Sequence, residues 1–294
     1  MDFTQYVYKN DLGQINIDKS FKDLTTIGCG GKIQTLYYPK NIDCLIRAYK
    51  FIKKNNLKYF IIGNGSNILA SDLDYKGIVI CLKKLPYFYK HKDDYIIVSA
   101  FYPTIKLAND LADLGLGDLS YLGGVPGLLG GAIFNNAGAY NKTISDDLIS
   151  IKYIDTSGSI KNITVDKLNL NYRSSVFHYI EGIIIEAKIR VKKVQTKDLL
   201  ILRKNKRQET QPLEYKSMGS VFKNDNLIPS WKIIDSLNLR GFRIGDAQIS
   251  TKHTNFIINL GHAKSSEIIN LINLIQTRSR LEYGIELIPE ITIL

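Results

Sequence analysis

The sequence predicts an α+β protein in two parts, and two observations lead to that prediction. Up to about residue 192, apolar runs of strand length alternate with segments in which apolar residues recur at helical spacing. Beyond that point the strand pattern gives way to a basic helical segment, and the remaining residues carry helices and strands of their own. Because this second part is long enough for a separate domain, we expect a domain boundary near residues 192–197.

Two segments show the clearest helical periodicity. Leu45, Ala48, Tyr49 and Ile52 share one face of a helix predicted over 42–54, and a similar apolar face predicts a helix over 104–114. Further helices are predicted over 196–208, 229–237 and 265–281. Apolar or alternating runs predict strands over 59–62, 77–80, 95–100, 151–154, 160–165, 183–191, 255–260 and 285–294.

The composition is that of a globular protein with a sizeable core. Of the 294 residues, 45% are hydrophobic and 23% are charged. No run reaches the roughly 20 apolar residues that a membrane-spanning helix needs, and the N-terminus shows no secretory signal. We therefore expect a cytoplasmic protein without membrane association. Cys29, Cys44 and Cys81 form no Cys-x-x-Cys pair and are expected to be reduced, partly buried thiols.

The net charge of +11 indicates an anionic ligand. A basic excess can attract nucleic acid, an anionic membrane or phosphorylated small molecules. The lysines are spread along the chain and match no nucleic-acid-binding module, so phosphorylated small molecules are favoured. We expect no nucleic acid and no obligate protein partner. No cluster of His, Cys, Asp or Glu at ligand spacing suggests a metal.

The first of two glycine-rich motifs follows the strand predicted over 59–62. It consists of Gly63, Asn64, Gly65, Ser66 and Asn67, and its backbone N–H groups suit a pyrophosphate. The motif lacks the third glycine of the dinucleotide fingerprint and the Gly-Lys-Ser/Thr of a Walker loop. A tight turn between two strands explains the same residues, and both interpretations stay open.

The second glycine-rich stretch, residues 123–140, is longer than a simple turn requires. Its glycines would let the backbone approach a planar ligand, to which Asn135 and Asn136 could form hydrogen bonds. A glycine-rich helix start packed closely on a strand is an equally good explanation. Spacing alone does not choose between the two.

Eight short motifs follow one another along the chain, at residues 25–31, 63–69, 124–140, 172–175, 211–213, 219–224, 250–256 and 289–290. The sequences Asn-Ala-Gly-Ala-Tyr, ending at Tyr140, and Gly-Ser-Val-Phe-Lys-Asn, beginning at Gly219, are the most specific. In order and approximate spacing, from about residue 20 onward, these motifs resemble those of the UDP-N-acetylenolpyruvoylglucosamine reductase family. The short interval between Arg173 and Ile183 resembles the subgroup that lacks an extra tyrosine-bearing loop.

The resemblance implies a fold and a cofactor. Residues 20–193 would form an FAD-binding domain of the type shared by p-cresol methylhydroxylase and vanillyl-alcohol oxidase, with two subdomains, and residues 194–294 a smaller α+β substrate-binding domain. NADPH would reduce the flavin and leave, and a UDP-sugar enolpyruvate would then receive the hydride in the same site. The implied cofactor-binding residues are Gly63, Asn64, Gly65, Ser66, Asn67, Gly124, Gly127, Gly130, Gly131, Asn136, Ala137 and Gly138.

The catalytic residues implied by the resemblance are Arg173, Ser220 and Glu290. An electron-rich enol ether resists hydride attack, so a cation is needed beside the substrate carboxylate, and the Arg173 guanidinium suits that task. Ser220 would protonate the carbon next to the ether oxygen, with help from its neighbours because a hydroxyl is a weak acid. Glu290 would be a second polar group at the reacting carbons. A surface ion pair for Arg173 and a turn or helix-cap role for Ser220 are the alternatives.

Substrate binding is expected from Arg207, Lys223 and Asn224, although a solvated helix face explains Arg207 equally well. His253 lies in a matching motif, and we expect it to be structural rather than catalytic. The chain departs from the family pattern at Asp225, where proline is usual, and at Thr292, where relatives often carry a basic residue.

The expected activity is the NADPH-dependent reduction of UDP-N-acetylglucosamine enolpyruvate to UDP-N-acetylmuramate in peptidoglycan synthesis. Two other functions stay open. An FAD-dependent oxidase of the same fold would act on an alcohol or hydroxy acid, and that substrate rather than NADPH would reduce the flavin. A basic nucleotide- or nucleic-acid-binding protein without flavin is compatible with the charge.

Overall fold

The structure is a computed structural model, and it describes residues 1–224 and 228–294. The α-helices are α1 Phe3–Lys9, α2 Ile42–Lys54, α3 Thr104–Asp113, α4 Leu129–Phe134, α5 Lys197–Thr210, α6 Ser230–Ser236 and α7 Ser265–Tyr283. The strands are β1 Gly13–Asn16, β2 Ile33–Pro39, β3 Tyr59–Ile62, β4 Ile68–Leu69, β5 Tyr75–Cys81, β6 Tyr89–Lys92, β7 Tyr95–Ser99, β8 Gly138–Ala139, β9 Lys142–Thr143, β10 Leu148–Ile154, β11 Ile160–Thr164, β12 Ile183–Arg190, β13 Lys216–Ser220, β14 Arg243–Ile244, β15 Ala247–Ile249, β16 Phe256–Asn259 and β17 Thr292–Ile293. The predicted α+β class is confirmed.

Contacts between residues divide the chain into two units, each assembled from separate stretches of sequence. Unit 1 comprises residues 1–17, 35–64 and 77–205, and unit 2 comprises residues 18–34, 65–76 and 206–294. The last division falls within α5. The domain limits 20–193 and 194–294 remain a prediction.

Unit 1 contains two larger sheets and the two-stranded β8–β9 sheet, and the first of the larger sheets has strand order β1-β2-β5-β3. Strands β1 and β2 are antiparallel, whereas β3 and β5 are parallel. Helix α2 buries the apolar face that its periodicity predicted. The Asn41 side chain caps the helix by accepting the Cys44 N–H at 2.9 Å, and Asn56, with a φ of 49°, takes the left-handed conformation that follows its end.

The second sheet of unit 1 is antiparallel, with strand order β11-β10-β12-β7-β6. Helices α3 and α4 contribute to its core, whose buried side chains include Ile96, Val98, Leu107, Leu111, Leu129, Ile133, Ile151, Ala187 and Ile189. The predicted strands over 95–100, 151–154, 160–165 and 183–191 are confirmed as β7, β10, β11 and β12. Burial of this apolar surface is the main force that stabilises the layer.

Unit 2 is built on an antiparallel sheet with strand order β13-β16-β15-β14. Helices α6 and α7 supply much of its core, which includes Met218, Val221, Ile234, Ile257, Ile268, Leu271 and Ile275. Helix α7 ends at Tyr283 and is capped by Gly284, whose φ of 67° is the left-handed conformation common after a helix. Short strands β4 and β17 pair in parallel.

The predicted final strand over 285–294 is wrong in its extent, because only Thr292–Ile293 is strand. Pro289 has no N–H for a ladder and forms an isolated bridge with Phe222. The backbone groups of the segment bond instead to separate partners, which include Val221, Lys223 and Asn67. Within residues 1–224 and 228–294, no continuous neighbouring strand is therefore present to form a ladder with it.

The three cysteines of the sequence are free thiols, as expected, and all three are buried. Burial raises the pKa of the Cys29 and Cys81 thiols. No helix within residues 1–224 and 228–294 is long and apolar enough to cross a membrane.

Candidate active site

The first glycine motif is a loop that continues from β3 and leads to β4. Gly65 has a φ of 65°, and a Cβ atom on it would lie 2.2 Å from the Leu24 carbonyl oxygen. Its own carbonyl accepts the Thr26 N–H at 3.1 Å. Only glycine fits this close backbone approach without displacing the 25–31 motif. Asn64 and Ser66 lie in the same loop, both partly exposed.

The second glycine-rich stretch contains helix α4, and its glycines differ in environment. The Gly130 N–H donates to the Ala100 carbonyl oxygen at 2.7 Å, and a Cβ on Gly130 would lie 3.1 Å from the Ala100 Cβ. Close packing of a helix start therefore explains Gly130. By contrast, Gly131 is exposed, and a Cβ on it would have no heavy atom within 4 Å. A bound ligand could approach the backbone at Gly131.

Two further predicted cofactor residues of this stretch, Gly127 and Ala137, have backbone partners within unit 1. Gly127 accepts the Thr104 N–H at 3.1 Å, and the Ala137 N–H donates to the Ala132 carbonyl oxygen at 2.7 Å. A Cβ on Gly63 would lie 3.3 Å from the Leu128 side chain, so the first motif touches the second stretch here. Gly124 is partly exposed. The cofactor roles of these residues stay predictions.

Asn136 is 3% exposed and has a φ of 41°. Its side-chain amide donates to the Asn171 carbonyl oxygen at 3.0 Å and accepts the Ser145 N–H at 3.2 Å. Through these bonds the Asn136 side chain connects the second glycine stretch to the loop that carries Arg173. The sequence did not indicate this structural role. A left-handed φ is tolerated by asparagine better than by most residues.

Arg173 lies at the tip of a tight turn in that loop. Asn171 and Ser174 exchange backbone hydrogen bonds of 3.1 and 3.2 Å across the turn. Arg173 itself has a φ of 53°, in a position where turns ordinarily carry glycine. Its Nη2 donates to the Gly138 carbonyl oxygen at 2.9 Å. A non-glycine residue in this strained conformation is a recognised feature of functional sites.

Ser220 ends strand β13 directly after a β-bulge. Ser217 pairs with Ile258 and Ser220 with Phe256, so Met218 and Gly219 oppose one residue of β16. Gly219 has a φ of 78°, and a Cβ there would meet nothing within 4 Å. A bulge re-aims the side chain that follows it. Ser220 is therefore presented partly exposed rather than in regular alternation.

The structure brings the segments of Ser220 and Glu290 together in unit 2. The Glu290 N–H donates to the Val221 carbonyl oxygen at 2.8 Å, and the Glu290 carbonyl accepts the Asn67 side chain at 3.1 Å. The Asn255 side chain is 3% exposed. It accepts a hydrogen bond from the Phe222 N–H and donates one to the Phe222 carbonyl oxygen, each at 2.9 Å. Asn255 stands in the 250–256 motif, and its structural role was not predicted from the sequence.

The predicted substrate-binding residues Lys223, Asn224 and Arg207 form hydrogen bonds to other parts of the chain. The Lys223 N–H donates to the Ile288 carbonyl oxygen at 2.9 Å, and the Asn224 side chain accepts the Ser230 N–H at 3.1 Å at the start of α6. The Arg207 side chain donates to Gln211 at 3.1 Å. Their roles toward substrate remain predictions. Asp225 lies outside the described residues, and Thr292 is exposed.

His253 packs against aromatic rings, with its ring centroid 4.9 Å from that of Phe256 and 6.4 Å from that of Trp231. Burial lowers the pKa of its imidazole, and the nearby Arg240 cation adds to the effect. Its Nδ1 has no hydrogen-bond partner in the part of the chain that the structure describes. This packing fits a structural histidine. In the same described part, no three His, Cys, Asp or Glu side chains form a group able to hold a metal ion.

Two family models match the chain. The FAD binding domain matches residues 33–164, and the UDP-N-acetylenolpyruvoylglucosamine reductase C-terminal domain matches residues 211–294. Together with the α+β architecture, these matches define a flavin-binding protein with a fold of the p-cresol methylhydroxylase and vanillyl-alcohol oxidase type.

Relatives and a solved structure agree over nearly the full length. UDP-N-acetylenolpyruvoylglucosamine reductase of Clostridium tetani is 36% identical over 100% of this chain and 96% of the relative. UDP-N-acetylenolpyruvoylglucosamine reductase 1 of Bacillus thuringiensis is 34% identical over 97% of this chain and 96% of the relative. The crystal structure of UDP-N-acetylenolpyruvylglucosamine reductase from Thermus caldophilus superposes with a TM-score of 0.81 at 28% identity, covering 96% of this chain and 99% of that one. The chain belongs to the UDP-N-acetylenolpyruvoylglucosamine reductase family.

Proposed function

We propose that this chain is an FAD-dependent oxidoreductase that uses NADPH to reduce UDP-N-acetylglucosamine enolpyruvate to UDP-N-acetylmuramate in peptidoglycan synthesis. The observation that carries the proposal is the match to reductases of this name along almost the whole of both chains. The family assignment favours this activity over an alcohol or hydroxy acid oxidase of the same fold. It also disfavours a nucleic-acid-binding protein without flavin.

The residues of the two glycine stretches fit an FAD cofactor. The exposed Gly131 leaves open space where a side chain would stand, so a flat or phosphorylated group could lie against the backbone there. Gly63, Asn64, Ser66 and the buried Gly65 form the loop proposed to hold the pyrophosphate. When bound, FAD supplies the hydride that NADPH has delivered to it. The net charge of +11 suits the diphosphates of cofactor and substrate.

The chain's own residues would then stabilise charge and move a proton. We propose that Arg173 holds the substrate carboxylate through two hydrogen bonds, which stabilises the negative charge that develops there. Ser220 would donate the proton to the carbon next to the ether oxygen. Glu290, on the segment hydrogen-bonded to Val221, would assist at the reacting carbons. Arg207, Lys223 and Asn224 would bind other parts of the substrate.

The enzyme acts on small molecules. We also propose a cytoplasmic location, because NADPH is supplied inside the cell, and we propose that no protein partner is required for activity.

An anaerobic titration tests the proposed function. Purified protein reconstituted with FAD should show the absorption band of oxidised flavin. NADPH should bleach the band, and the UDP-enolpyruvyl sugar should restore it with formation of UDP-N-acetylmuramate. Protein that cannot take up FAD, or flavin that an alcohol or hydroxy acid reduces in place of NADPH, would count against the proposal.

Replacing Gly131 with alanine should weaken FAD binding without harming the fold. Alanine in a helix is up to about 1 kcal/mol more favourable than glycine, and the added methyl meets open space in the protein. A methyl group that fills the cofactor's space should raise the FAD dissociation constant by about tenfold, or about 1.4 kcal/mol. Flavin fluorescence titration and thermal unfolding of the apoprotein would measure both effects.

The neighbouring Gly130→Ala variant is the matched control. Gly130 is also among the predicted cofactor residues, but its added methyl would lie 3.1 Å from the Ala100 Cβ, so we expect its main effect to be a lower stability of the apoprotein. If Gly131→Ala binds FAD as tightly as the unmodified protein, the cofactor does not lie against this residue.

A further inference from the structure

The hairpin formed by β8 and β9 carries an unusual turn. Gly138 pairs with Thr143 and Ala139 with Lys142, so Tyr140 and Asn141 are the two turn residues. Their φ values are 56° and 57°, which is the geometry preferred in two-residue hairpins but normally supplied by Asn-Gly or similar pairs. A bulky tyrosine is disfavoured in this conformation. Contacts elsewhere must therefore hold it.

Helix α5 holds the tip of the hairpin. The guanidinium carbon of Arg203 lies 4.8 Å from the centre of the Tyr140 ring, and the Tyr140 hydroxyl donates to the Arg203 carbonyl oxygen at 3.2 Å. The Arg203 side chain is only 15% exposed and also contacts Ser120 and Asp118. The Arg203 side chain is therefore packed between these groups rather than lying on a solvated helix face.

Lys142, the residue directly after the turn, anchors β9 of the same hairpin. Its Nζ donates to the Asp118 carbonyl oxygen at 2.8 Å and lies 2.9 Å from an Asp147 carboxylate oxygen. Burial would raise the pKa of the Asp118 carboxyl, but the Ser120 hydroxyl and the Lys142 and Arg203 cations outweigh burial, so the pKa is lowered. Asp118 therefore stays charged, and its carboxylate lies between the Lys142 and Arg203 cations that contact the hairpin.

The hairpin in turn contacts Arg173, whose Nη2 donates to the Gly138 carbonyl oxygen at 2.9 Å. We propose that Lys142 and Arg203 are positioning residues, which fix the β8–β9 hairpin and so let the Gly138 carbonyl set the orientation of the Arg173 guanidinium. The inference rests on the proposed function, since it concerns the residue proposed to hold the substrate carboxylate. Two-point binding of a carboxylate depends on the orientation of the guanidinium plane.

The two half-reactions measured separately by stopped-flow absorbance test this inference. Lys142→Met and Arg203→Met should each slow flavin reoxidation by the UDP-enolpyruvyl sugar on the order of 10- to 100-fold, because small misplacements of a positioning group have effects of that size. Flavin reduction by NADPH should change by less than about twofold, since Arg173 is proposed to act on the enolpyruvyl carboxylate. Lys142→Arg should restore most of the rate, because it keeps the cation.

Tyr140→Phe provides a milder variant in case the methionine variants fold poorly. It removes only the hydroxyl bond to the Arg203 carbonyl, and should slow reoxidation by about threefold, less than the loss of either cation. Lys152→Met is the matched control, since it breaks an ion pair with Glu186 of 2.8 Å in the sheet of the same unit. This control should leave both half-reactions unchanged.

A double-variant comparison distinguishes positioning from general damage. In an Arg173→Gln background, Lys142→Met should have no further effect on reoxidation, because the residue it positions is already removed. Equal slowing of both half-reactions, an undiminished effect in the Arg173→Gln background, or no effect in any hairpin variant would each overturn the inference. Failure of the proposed function is a separate result, because the unmodified protein would then not be reoxidised by the sugar.

Discussion

The Ser220→Ala variant should retain flavin reduction by NADPH but lose the second half-reaction. We expect reoxidation by the UDP-enolpyruvyl sugar to slow by about 10²- to 10⁴-fold, the usual effect of removing a general acid or base. We expect only the second half-reaction to be lost, because Ser220 is proposed to transfer a proton to the substrate and to take no part in the reaction with NADPH.

The local structure supports this assignment. The bulge at Met218 and Gly219 turns Ser220 out of the regular alternation of β13, and Asn255 fixes the next residues through bonds to the N–H and carbonyl of Phe222. The hydroxyl is therefore carried by a rigid backbone, as a proton donor requires. Alanine removes one oxygen and disturbs none of these backbone bonds.

Single-turnover stopped-flow measurements of each half-reaction would test the expected result. Ser217→Ala, three residues earlier in the same strand, is the matched control and should leave both rates unchanged. Equal loss of the two half-reactions in Ser220→Ala would show that the hydroxyl serves cofactor binding or folding rather than proton donation.

The Arg173→Gly variant should lose the same half-reaction while remaining at least as well folded. Removing a group that stabilises developing negative charge typically costs about 10²- to 10³-fold in rate, and we expect that loss in reoxidation by the sugar. Stability should change little, because glycine adopts the φ of 53° found at Arg173 without the cost of about 1–2 kcal/mol that an L-residue with a side chain incurs there.

The Arg173→Lys variant examines geometry as well as charge. Lysine keeps the positive charge but cannot hold a carboxylate through the fixed two-point fork of a guanidinium. We therefore expect a rate between those of the unmodified protein and Arg173→Gly. Stopped-flow reoxidation and thermal unfolding of each variant provide the two measurements.

Asn169→Gly is the matched control for the backbone effect, since Asn169 also has a left-handed φ, of 47°, in the same unit. It should leave both half-reactions intact. An Arg173→Gly variant that is reoxidised at the normal rate would remove Arg173 from the mechanism. A variant that loses most of its stability would mean that the turn depends on the Arg173 side chain.

Periodicity was sufficient to predict most helices and strands. Helix α2 follows its apolar face and its Asn41 cap, and the strands of both units match the runs identified in the sequence. The prediction was wrong over 285–294, where an apolar run with strand-like composition bonds to several separate partners. The composition of a segment shows that it is suited to form a β-strand. It does not show whether a neighbouring strand is available for hydrogen bonding.

The candidate site was identified through ordered motifs rather than through the chemistry of single residues. Spacing alone left both glycine stretches open to a simple structural explanation, and the structure shows why. Gly130 packs against Ala100 whereas the adjacent Gly131 faces open space, although the two are the same residue type in the same helix. The difference depends on Ala100, which directly follows β7 and lies about 30 residues earlier in the chain.

The sequence by itself determined the α+β class, the family and the identity of the residues proposed for chemistry, because these depend on local periodicity and on motifs in a fixed order. Only the tertiary structure decided which side chains are committed to the fold, as Asn136 and Arg203 are, and which backbone is strained, as at Tyr140 and Arg173. The physical reason is that a hydrogen bond or a left-handed φ at one residue is stabilised by partners far away in sequence. Those partners become neighbours only once the chain has folded.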